Sequence, residues 1–475
     1  MTHSQPLVLD VDGTFLRTDL LYETFWAGLG RAPITTIRAA FRFWRDPARL
    51  KSELRQIAPL RLDLLPVNDQ IAQMARDAQA EGREVVLASA SDRHLVQDLA
   101  TLHGFDAALG SEPGHNLKGA HKARALVAEY GDKGFIYAGD DKSDAAIWAR
   151  ASHSIVVGRA GGAGEKLPVA QKTQLPGGWS WSALTKAIRP HQWVKNVLLF
   201  LPMIAAHQFD LMTAFLVVLG IAAFSAAASS IYVVNDLLDL EADRLHRTKC
   251  KRPFAAGTVP IKVGMIACGG LAAIALGLGA VLGIAFLGVV VLYMILSLAY
   301  SLKLKRMRWI DIFTLAALYT IRVVAGAAAS QVDASVFMLI FIFPIFVTLG
   351  CVKRLTELTL ATNDDPLPGR GYGRLDRPDL LNVAILGMVG ALVIFFLYSF
   401  SEQARVLYPS QWLLWVALIP IAAWLNRMVR LGWFGQQDYD PIVFALKDKR
   451  GIGLLLITLS LMFYSAGLWQ QWFGF

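Results

Sequence analysis

N235-D-L-L-D-L-E-A-D-R-L-H-R-T-K-C-K-R-P-F254 follows directly on the apolar run Leu211–Val234, and its reading decides how the rest of the chain is understood. If the helix of that run continues, Asn235, Asp239 and Asp243 fall at i, i+4 and i+8 on one face at a membrane boundary, with Asp236 beside them. Carboxylates stacked in this way repel one another. A divalent cation gripping a polyphosphate removes the repulsion, because Mg²⁺ takes hard oxygen ligands and phosphate oxygens. The cations that follow, Arg244, His246, Arg247, Lys249, Lys251 and Arg252, supply charge for the rest of an anionic substrate. A solvated juxtamembrane loop whose Lys and Arg only set topology explains the basic residues equally well. It leaves four acid or amide positions in register unexplained, and a metal site accounts for them.

Outward from this stretch the composition is lopsided. Of 475 residues, 55% are hydrophobic and 17% charged, and the apolar excess lies almost wholly after residue 190. The expectation is a multidomain chain, a soluble half joined to a membrane half. The net charge of +9 comes largely from basic residues flanking apolar spans, so the positive-inside rule explains it without a nucleic-acid partner. Cys250, Cys268 and Cys351 lack metal-ligand spacing and point to neither a disulfide framework nor a zinc site. Residues 1–30 lack a basic n-region and a small-residue cleavage site, which predicts a cytoplasmic N-terminal domain.

In the soluble half three short apolar runs end in polar tips. Pro6–Val11 leads through D10-V-D12-G13-T14, Glu84–Ala88 into Ser89-Ala-Ser-Asp, and Gly134–Ala138 into G139-D-D-K-S-D144. Leu117-Lys118-Gly119 heads a helix-like stretch between the last two. Strands alternating with helices, with polar residues at the strand tips, predict a doubly wound, Rossmann-like parallel sheet with its site at the topological switch point. These four motifs, in this order over residues 6 to about 160, resemble the haloacid dehalogenase-type phosphatases. The resemblance implies that Asp10 is the nucleophile and Asp12 the proton donor. It implies further that Ser89 and Lys118 hold the phosphate, and that Asp10, Asp12 and Asp140 lie at a Mg²⁺ with Asp144 in support. Between Lys118 and Lys122, the spacing to Asp140 and the following glycine favour Lys118. A carboxylate attacks phosphorus only once metal and lysine have cancelled charge on both partners. The domain is expected to span residues 1–160 with a helical cap at about 15–81. In the cap, Trp26, Arg38, Phe41, Arg42, Phe43, Trp44 and Arg45 interleave aromatics with arginines. They read either as an amphipathic helix on a lipid headgroup layer or as an ordinary cap helix with its aromatics packed inward. Residues 158–182, rich in Gly and Pro, finish the last loop of the sheet and begin a linker at 161–184.

From residue 185 to 475 an all-α membrane domain is expected. Its nine apolar segments lie near 197–210, 212–234, 264–282, 284–301, 311–329, 335–352, 381–400, 411–426 and 453–471. Loops after the even-numbered segments hold twenty Lys or Arg, and those after segments one, three, five and seven hold only Arg405. Even-numbered loops, the N-terminal domain and the active sites are therefore expected on the cytoplasmic side of a bacterial inner membrane, with the C-terminus outside. The chemistry-capable residues cluster in those loops: R189-P-H-Q-W-V-K-N196, Y300-S-L-K-L-K-R-M-R-W-I-D311, Lys353-Arg354 with Glu357, and D438-Y-D-P-I. Arg322 lies inside a span, where a charge is costly unless it is paired or faces a polar cavity. Asp438 and Asp440 fit a solvated loop about as well as a site.

N-D-x-x-D-x-x-x-D at 235–243, Y-S at 300–301 before the basic run through Arg306, and nine spans resemble the UbiA superfamily of intramembrane prenyltransferases. R-P-x-Q-W-V-K-N at 189–196 and D-R-x-H-x-x-K-x-x-R-P at 243–253 are similar to the decaprenyl-phosphate phosphoribosyltransferase branch. The superfamily's second aspartate-rich motif is reduced here to Asp311, with Leu315 four residues on. The resemblance implies that Asn235, Asp236, Asp239 and Asp243 bind Mg²⁺, with Asp239 and Asp243 catalytic. Lys195, Asn196, Arg244, His246, Lys249, Arg252, Tyr300, Lys303, Lys305, Arg322 and Lys353 would bind phosphoribosyl pyrophosphate and a polyprenyl phosphate. The soluble half would then remove the 5-phosphate from the lipid-linked product. Two other readings fit in outline: transfer of a prenyl group from a prenyl diphosphate, and a transporter or lipid-binding module regulated by a degenerate phosphatase.

Overall fold

The computed structural model describes residues 5–333, 335–361, 370–437 and 440–474, and its chain divides into two compact units. One comprises Met1–Ile188 with Tyr232–Gly269, the other Arg189–Ile231 with Gly270–Phe475.

The first unit is built on six parallel strands in the order β3-β2-β1-β4-β5-β6. They are β1 Leu7–Leu9, β2 Val85–Asp92, β3 Ala107–Ser111, β4 Ile136–Gly139, β5 His153–Val157 and β6 Lys172–Leu175. Alternation along the strands splits their side chains between two cores. Leu7, Leu9, Val85 and Leu87 face one, and Val8, Val86 and Ala88 face the other. Helices α4 (Asp69–Ala80) and α5 (Arg93–His103) close the first core with Ile71, Ala75, Leu95 and Leu99. Helices α6 (Ala120–Tyr130) and α7 (Ala145–Trp148) close the second with Ala123, Leu126, Ile147 and Trp148. The cap is smaller than expected: α1 (Leu20–Arg31), α2 (Pro33–Phe43) and α3 (Pro47–Ile57) precede α4, which belongs to the sheet layer. β6 lies inside the stretch read as loop and linker, where it pairs with β5 from Ser154↔Lys172 to Val157↔Leu175. An edge strand this short and polar leaves no hydrophobic run to read.

Helix α8 (Trp181–Ile188) leads into the membrane sequence. Seven helices among the described residues are long and apolar enough to cross a membrane, where nine spans were expected. They are α10 (Leu211–Leu238), α12 (Ile261–Leu282), α13 (Ile284–Leu302), α14 (Ile310–Ser330), α15 (Val336–Leu360), α16 (Arg377–Tyr398, with its preceding turn) and α18 (Trp412–Trp433). The expected first span forms no single helix: a 3₁₀ stretch over Pro190–Phe200 gives way to α9 (Leu201–Ala205), and His207 turns left-handed at φ 57°. It packs so tightly on α14 that a Cβ at Gly326 would come within 2.1 Å of the Leu199 carbonyl. The expected ninth span holds a 17-residue helix, α20 (Lys449–Ser465), and the short α21 (Leu468–Phe473). The short helices α11 (Leu240–Leu245), α17 (Glu402–Leu407) and α19 (Pro441–Ala445) punctuate the loops.

Candidate functional site

At the switch point of the sheet, β1 and β4 end side by side and present Asp10 and Asp140. Carboxylate oxygens of Asp10, Asp140 and Asp144 lie within 4.8 Å of one another. The turn after β1 depends on Gly13: its φ is +83°, and a Cβ there would come within 2.1 Å of Asp140 Oδ2. Thr14 Oγ1 donates to Asp140 Oδ1 at 3.2 Å. Tyr137 OH donates to Asp144 Oδ1 at 2.9 Å, and the Asp141 N–H donates to its other oxygen at 3.1 Å. Burial, reinforced by neighbouring carboxylates and opposed by Lys122, pushes Asp10 up to about 7. Burial with Asp10 and Asp144 nearby pushes Asp140 up to about 8. Three crowded carboxylates of raised proton affinity are a donor set that suits a hard divalent cation.

Two placements differ from the expected ones, and one residue is new to the site. Lys122, not Lys118, meets Asp10: its Nζ lies 2.6 Å from Asp10 Oδ1 and 3.0 Å from Tyr137 OH, while Lys118 is exposed one turn earlier. Lys122 sits on the buried face of α6, whereas Lys118 lies before the helix, ahead of Gly119 at its N-terminus. Asp12 lies outside the three-carboxylate cluster. Its Oδ1 accepts from the Leu20 N–H at 2.8 Å, and its Oδ2 accepts from Ser91 at 2.7 Å and Ser89 at 3.2 Å. Ser89 thus contacts the proposed proton donor. A third feature is new: Lys51 reaches down from α3 in the cap and donates to the Ala90 carbonyl at 2.5 Å. Burial lowers its proton affinity, with Asp12 and Asp19 pulling the other way.

In the same unit, the quoted stretch bends instead of running on as one helix. α10 stops at Leu238, Asp239 takes φ −102° and ψ 15°, and α11 begins at Leu240. Hydrogen bonds from the Asp239 N–H to Asn235 O and from the Asp243 N–H to Asp239 O still span the bend. The bend brings Asp236 and Asp243 together on Arg252, whose Nη1 lies 3.1 and 2.7 Å from them. Burial, opposed first by Arg252, raises the proton affinity of Asp243. Asn235 Oδ1 is buried with no hydrogen-bond partner among the described residues. The buried acceptor of Asn235 and the carboxylates of Asp236 and Asp243 are oxygen donors of the kind a hard divalent cation takes. Arg244, expected among the substrate cations, is committed elsewhere: Nη2 and Nη1 donate to Glu23 of α1 at 2.6 and 3.1 Å, and Nε to the Ala255 carbonyl. His246 and Lys249 are exposed on the loop beyond α11.

The second unit holds the remaining expected residues in two clusters. In the first, Arg322 donates from Nε to Asn196 Oδ1 at 3.0 Å and from Nη2 to Tyr293 OH at 3.2 Å. Asn196 Nδ2 in turn donates to Ser225 at 2.9 Å. Next to Asn196 in sequence, Lys195 pairs with Asp440, which also caps α19. Burial would raise Asp440, but Lys195 and Lys353 outweigh it and hold the carboxyl down at about 2. Asp440 therefore does not sit in a solvated loop; Asp438 lies outside the described residues.

The second cluster centres on Arg354, fully buried in α15. It grips Asp311 through Nε at 2.6 Å and Nη2 at 2.8 Å. Tyr300 OH donates to Asp311 at 2.8 Å and accepts from Arg370 at 3.1 Å. The sequence named Tyr300 and Lys353 but not Arg354 or Arg370 as site residues, because the cluster gathers from three helices and a loop. Lys303 is exposed and Lys305 half-buried beside it.

Residues 196–358 match the model of the UbiA prenyltransferase family. An uncharacterized protein of Sinorhizobium fredii is 33% identical over 473 residues, 96% of this chain and 90% of that one. A decaprenyl-phosphate phosphoribosyltransferase of Mycobacterium tuberculosis is 33% identical over 280 residues, 56% of this chain and 89% of the relative. Among solved structures, a substrate-bound phosphoserine phosphatase is 14% identical with a TM-score of 0.25, covering 32% of this chain and 86% of that one.

Proposed function

The chain belongs to the UbiA prenyltransferase family, and from that premise we propose that its N-terminal half is a haloacid dehalogenase-like phosphatase and that the two halves perform consecutive steps on one lipid. The membrane half transfers 5-phosphoribose from phosphoribosyl pyrophosphate to a polyprenyl phosphate at the cytoplasmic face of a bacterial inner membrane. The soluble half then removes the 5-phosphate. The observation that carries the first step is the donor set of the bend: Asn235 with its buried, unpartnered Oδ1, and Asp236 and Asp243 gathered on Arg252.

Asn235, Asp236, Asp239 and Asp243 would hold Mg²⁺, which supplies countercharge to a departing pyrophosphate. The phosphate oxygen of the lipid attacks C1 of the ribose, and the C1–O bond to pyrophosphate breaks. Positive charge grows on the sugar and negative charge on the leaving group, so cations fixed in advance act most where charge develops. Arg252, His246 and Lys249 are assigned to substrate phosphates at the bend; Lys195, Asn196, Tyr300, Lys303, Lys305, Arg322 and Lys353 are assigned to substrate binding within the second unit. Arg244 is assigned to holding the cap.

In the soluble half, Asp10, Asp140 and Asp144 would hold Mg²⁺, which supplies charge neutralisation at the phosphoryl oxygens. Asp10 attacks phosphorus while Lys122 offsets the charge of the incoming dianion. Asp12, held by Ser91 and the Leu20 N–H, gives its proton to the departing 5-oxygen. It later takes one from the water that cleaves the aspartyl phosphate.

Purified full-length protein tests the first step directly. With Mg²⁺, a polyprenyl phosphate and phosphoribosyl pyrophosphate, pyrophosphate release is expected, and Asp239→Ala with Asp243→Ala abolishes it. Release from a prenyl diphosphate but not from phosphoribosyl pyrophosphate would instead establish prenyl transfer, and solute flux without turnover a transporter.

A further inference from the structure

Helix α2 turns four large apolar side chains outward. Ile34, Ile37, Phe41 and Trp44 are 73%, 45%, 79% and 65% exposed, and their spacing of three, four and three residues sets them in one stripe. The opposite face is anchored: Thr36 and Ala39 are buried, and Thr36 packs against Gly28 of α1. Arginines flank the stripe. Arg38, Arg42, Arg45 and Arg49 are exposed, α2 contains no acid, and among the described residues none of the four guanidinium groups pairs with a carboxylate. Arg45 lies over the Trp44 ring at 4.8 Å, and Arg42 and Arg49 lie over Phe43 at 5.4 and 4.7 Å. Rings and guanidinium groups therefore share one boundary between apolar and charged surface.

The position of α2 says what covers the stripe. Trp26 of α1 shares a core with Val233 and Leu237 of the last turns of α10 and with Ile261, where α12 begins. These are the points at which two membrane helices end. Arg31, the last residue of α1, lies 3.5 Å from Glu241, just beyond α10. α2 starts two residues later. It is thus tethered at a bilayer boundary by its own unit. A second copy of the chain is a poor occupant, since stripe-to-stripe pairing would bring two sets of arginines together.

We propose that α2 is a peripheral membrane anchor, lying in the headgroup layer of an anionic leaflet with its apolar stripe at the acyl boundary and its arginines on lipid phosphates. The anchor holds the phosphatase cap at the surface that carries lipid-linked substrates. It depends on neither chemical assignment made above, and its test reads lipid contact, not turnover.

Full-length protein is reconstituted in nanodiscs containing phosphatidylglycerol with a photoreactive group near the glycerol, irradiated, and digested for mass spectrometry. Adducts are expected on the peptide covering residues 33–49, while the exposed face of α4 in the same unit stays unlabelled. Phe41→Ser with Trp44→Ser should cut the α2 adducts by about tenfold or more. Arg42→Gln should cut them by roughly fivefold in phosphatidylglycerol and leave phosphatidylcholine discs unaffected. An unchanged circular dichroism spectrum and melting temperature in both variants certify that the domain is folded. Labelling of residues 33–49 no greater than that of α4, with α12 heavily labelled in the same discs, would overturn the proposal. Protein–protein cross-links through α2 in place of lipid adducts would overturn it equally.

Discussion

Lys122 was named in the sequence only as the less favoured alternative, yet it carries the clearest test at the residue scale. Its ammonium is buried between Asp10 and Tyr137. Lys122→Met should lower phosphomonoester hydrolysis by about 10²-fold or more, as loss of one fixed charge at a reacting centre does. Lys118→Met should change it little, and a steady-state assay of both variants decides between them. The carboxylates predict a pH effect as well. Asp10 and Asp140 rise from 3.8 to about 7 and about 8, so between about pH 4 and pH 8 the folded state binds more protons than the unfolded chain. Stability without metal therefore falls as pH rises through that window. A cation bound by the ionised forms counters this, so the gain in melting temperature on adding Mg²⁺ should be larger at pH 8 than at pH 6. A scan of the full-length protein with Mg²⁺ or with chelator measures it, and an equal gain at both values would contradict the assignment.

At the scale of elements, the bend between α10 and α11 and the cap helix α1 form one structural piece. Glu23 and Arg244 have side chains only 3% and 8% exposed and meet through two hydrogen bonds. Thr18 Oγ1 donates to the same carboxylate at 2.7 Å. Removing one member of a buried pair leaves its partner uncompensated, at a cost of about 3 kcal/mol or more. Glu23→Gln should therefore lower the thermal stability of the first unit. Combining it with Arg244→Met should recover part of the loss, and a double-mutant cycle on melting temperatures reads the coupling. The sequence placed Arg244 with its charged neighbours because a one-dimensional pattern cannot show a partner 221 residues away. The same limit hid Lys51, which reaches the Ala90 carbonyl from α3, and the pairing of Arg354 with Asp311 on another helix.

Across the whole molecule, what the sequence revealed follows from where chemistry is local. Each strand tip of the sheet carries its polar residues within a few positions of an apolar run, so β1, β2 and β4 and the acids after them could be read directly. β6 could not, because K172-T-Q-L175 has neither alternation nor a hydrophobic run. The spans were legible as hydropathy, but hydropathy does not distinguish a crossing helix from an apolar segment folded against its neighbours. Residues 197–210 break around Pro202 and His207 and pack on α14 through Gly326, so no single long helix forms there. The second aspartate-rich motif is likewise a tertiary matter: Asp311 is gripped by Arg354 and hydrogen-bonded by Tyr300.

In the proposed reaction both halves act on one lipid, so the mass of that product is the most direct measure. Full-length protein is given Mg²⁺, a polyprenyl phosphate and phosphoribosyl pyrophosphate, and the extracted lipid is weighed by mass spectrometry. The account predicts a ribosyl lipid without its 5-phosphate from the native chain, and from Asp10→Asn the same lipid still carrying that phosphate. Unmodified polyprenyl phosphate from both, or the dephosphorylated lipid from Asp10→Asn at the native rate, would contradict it.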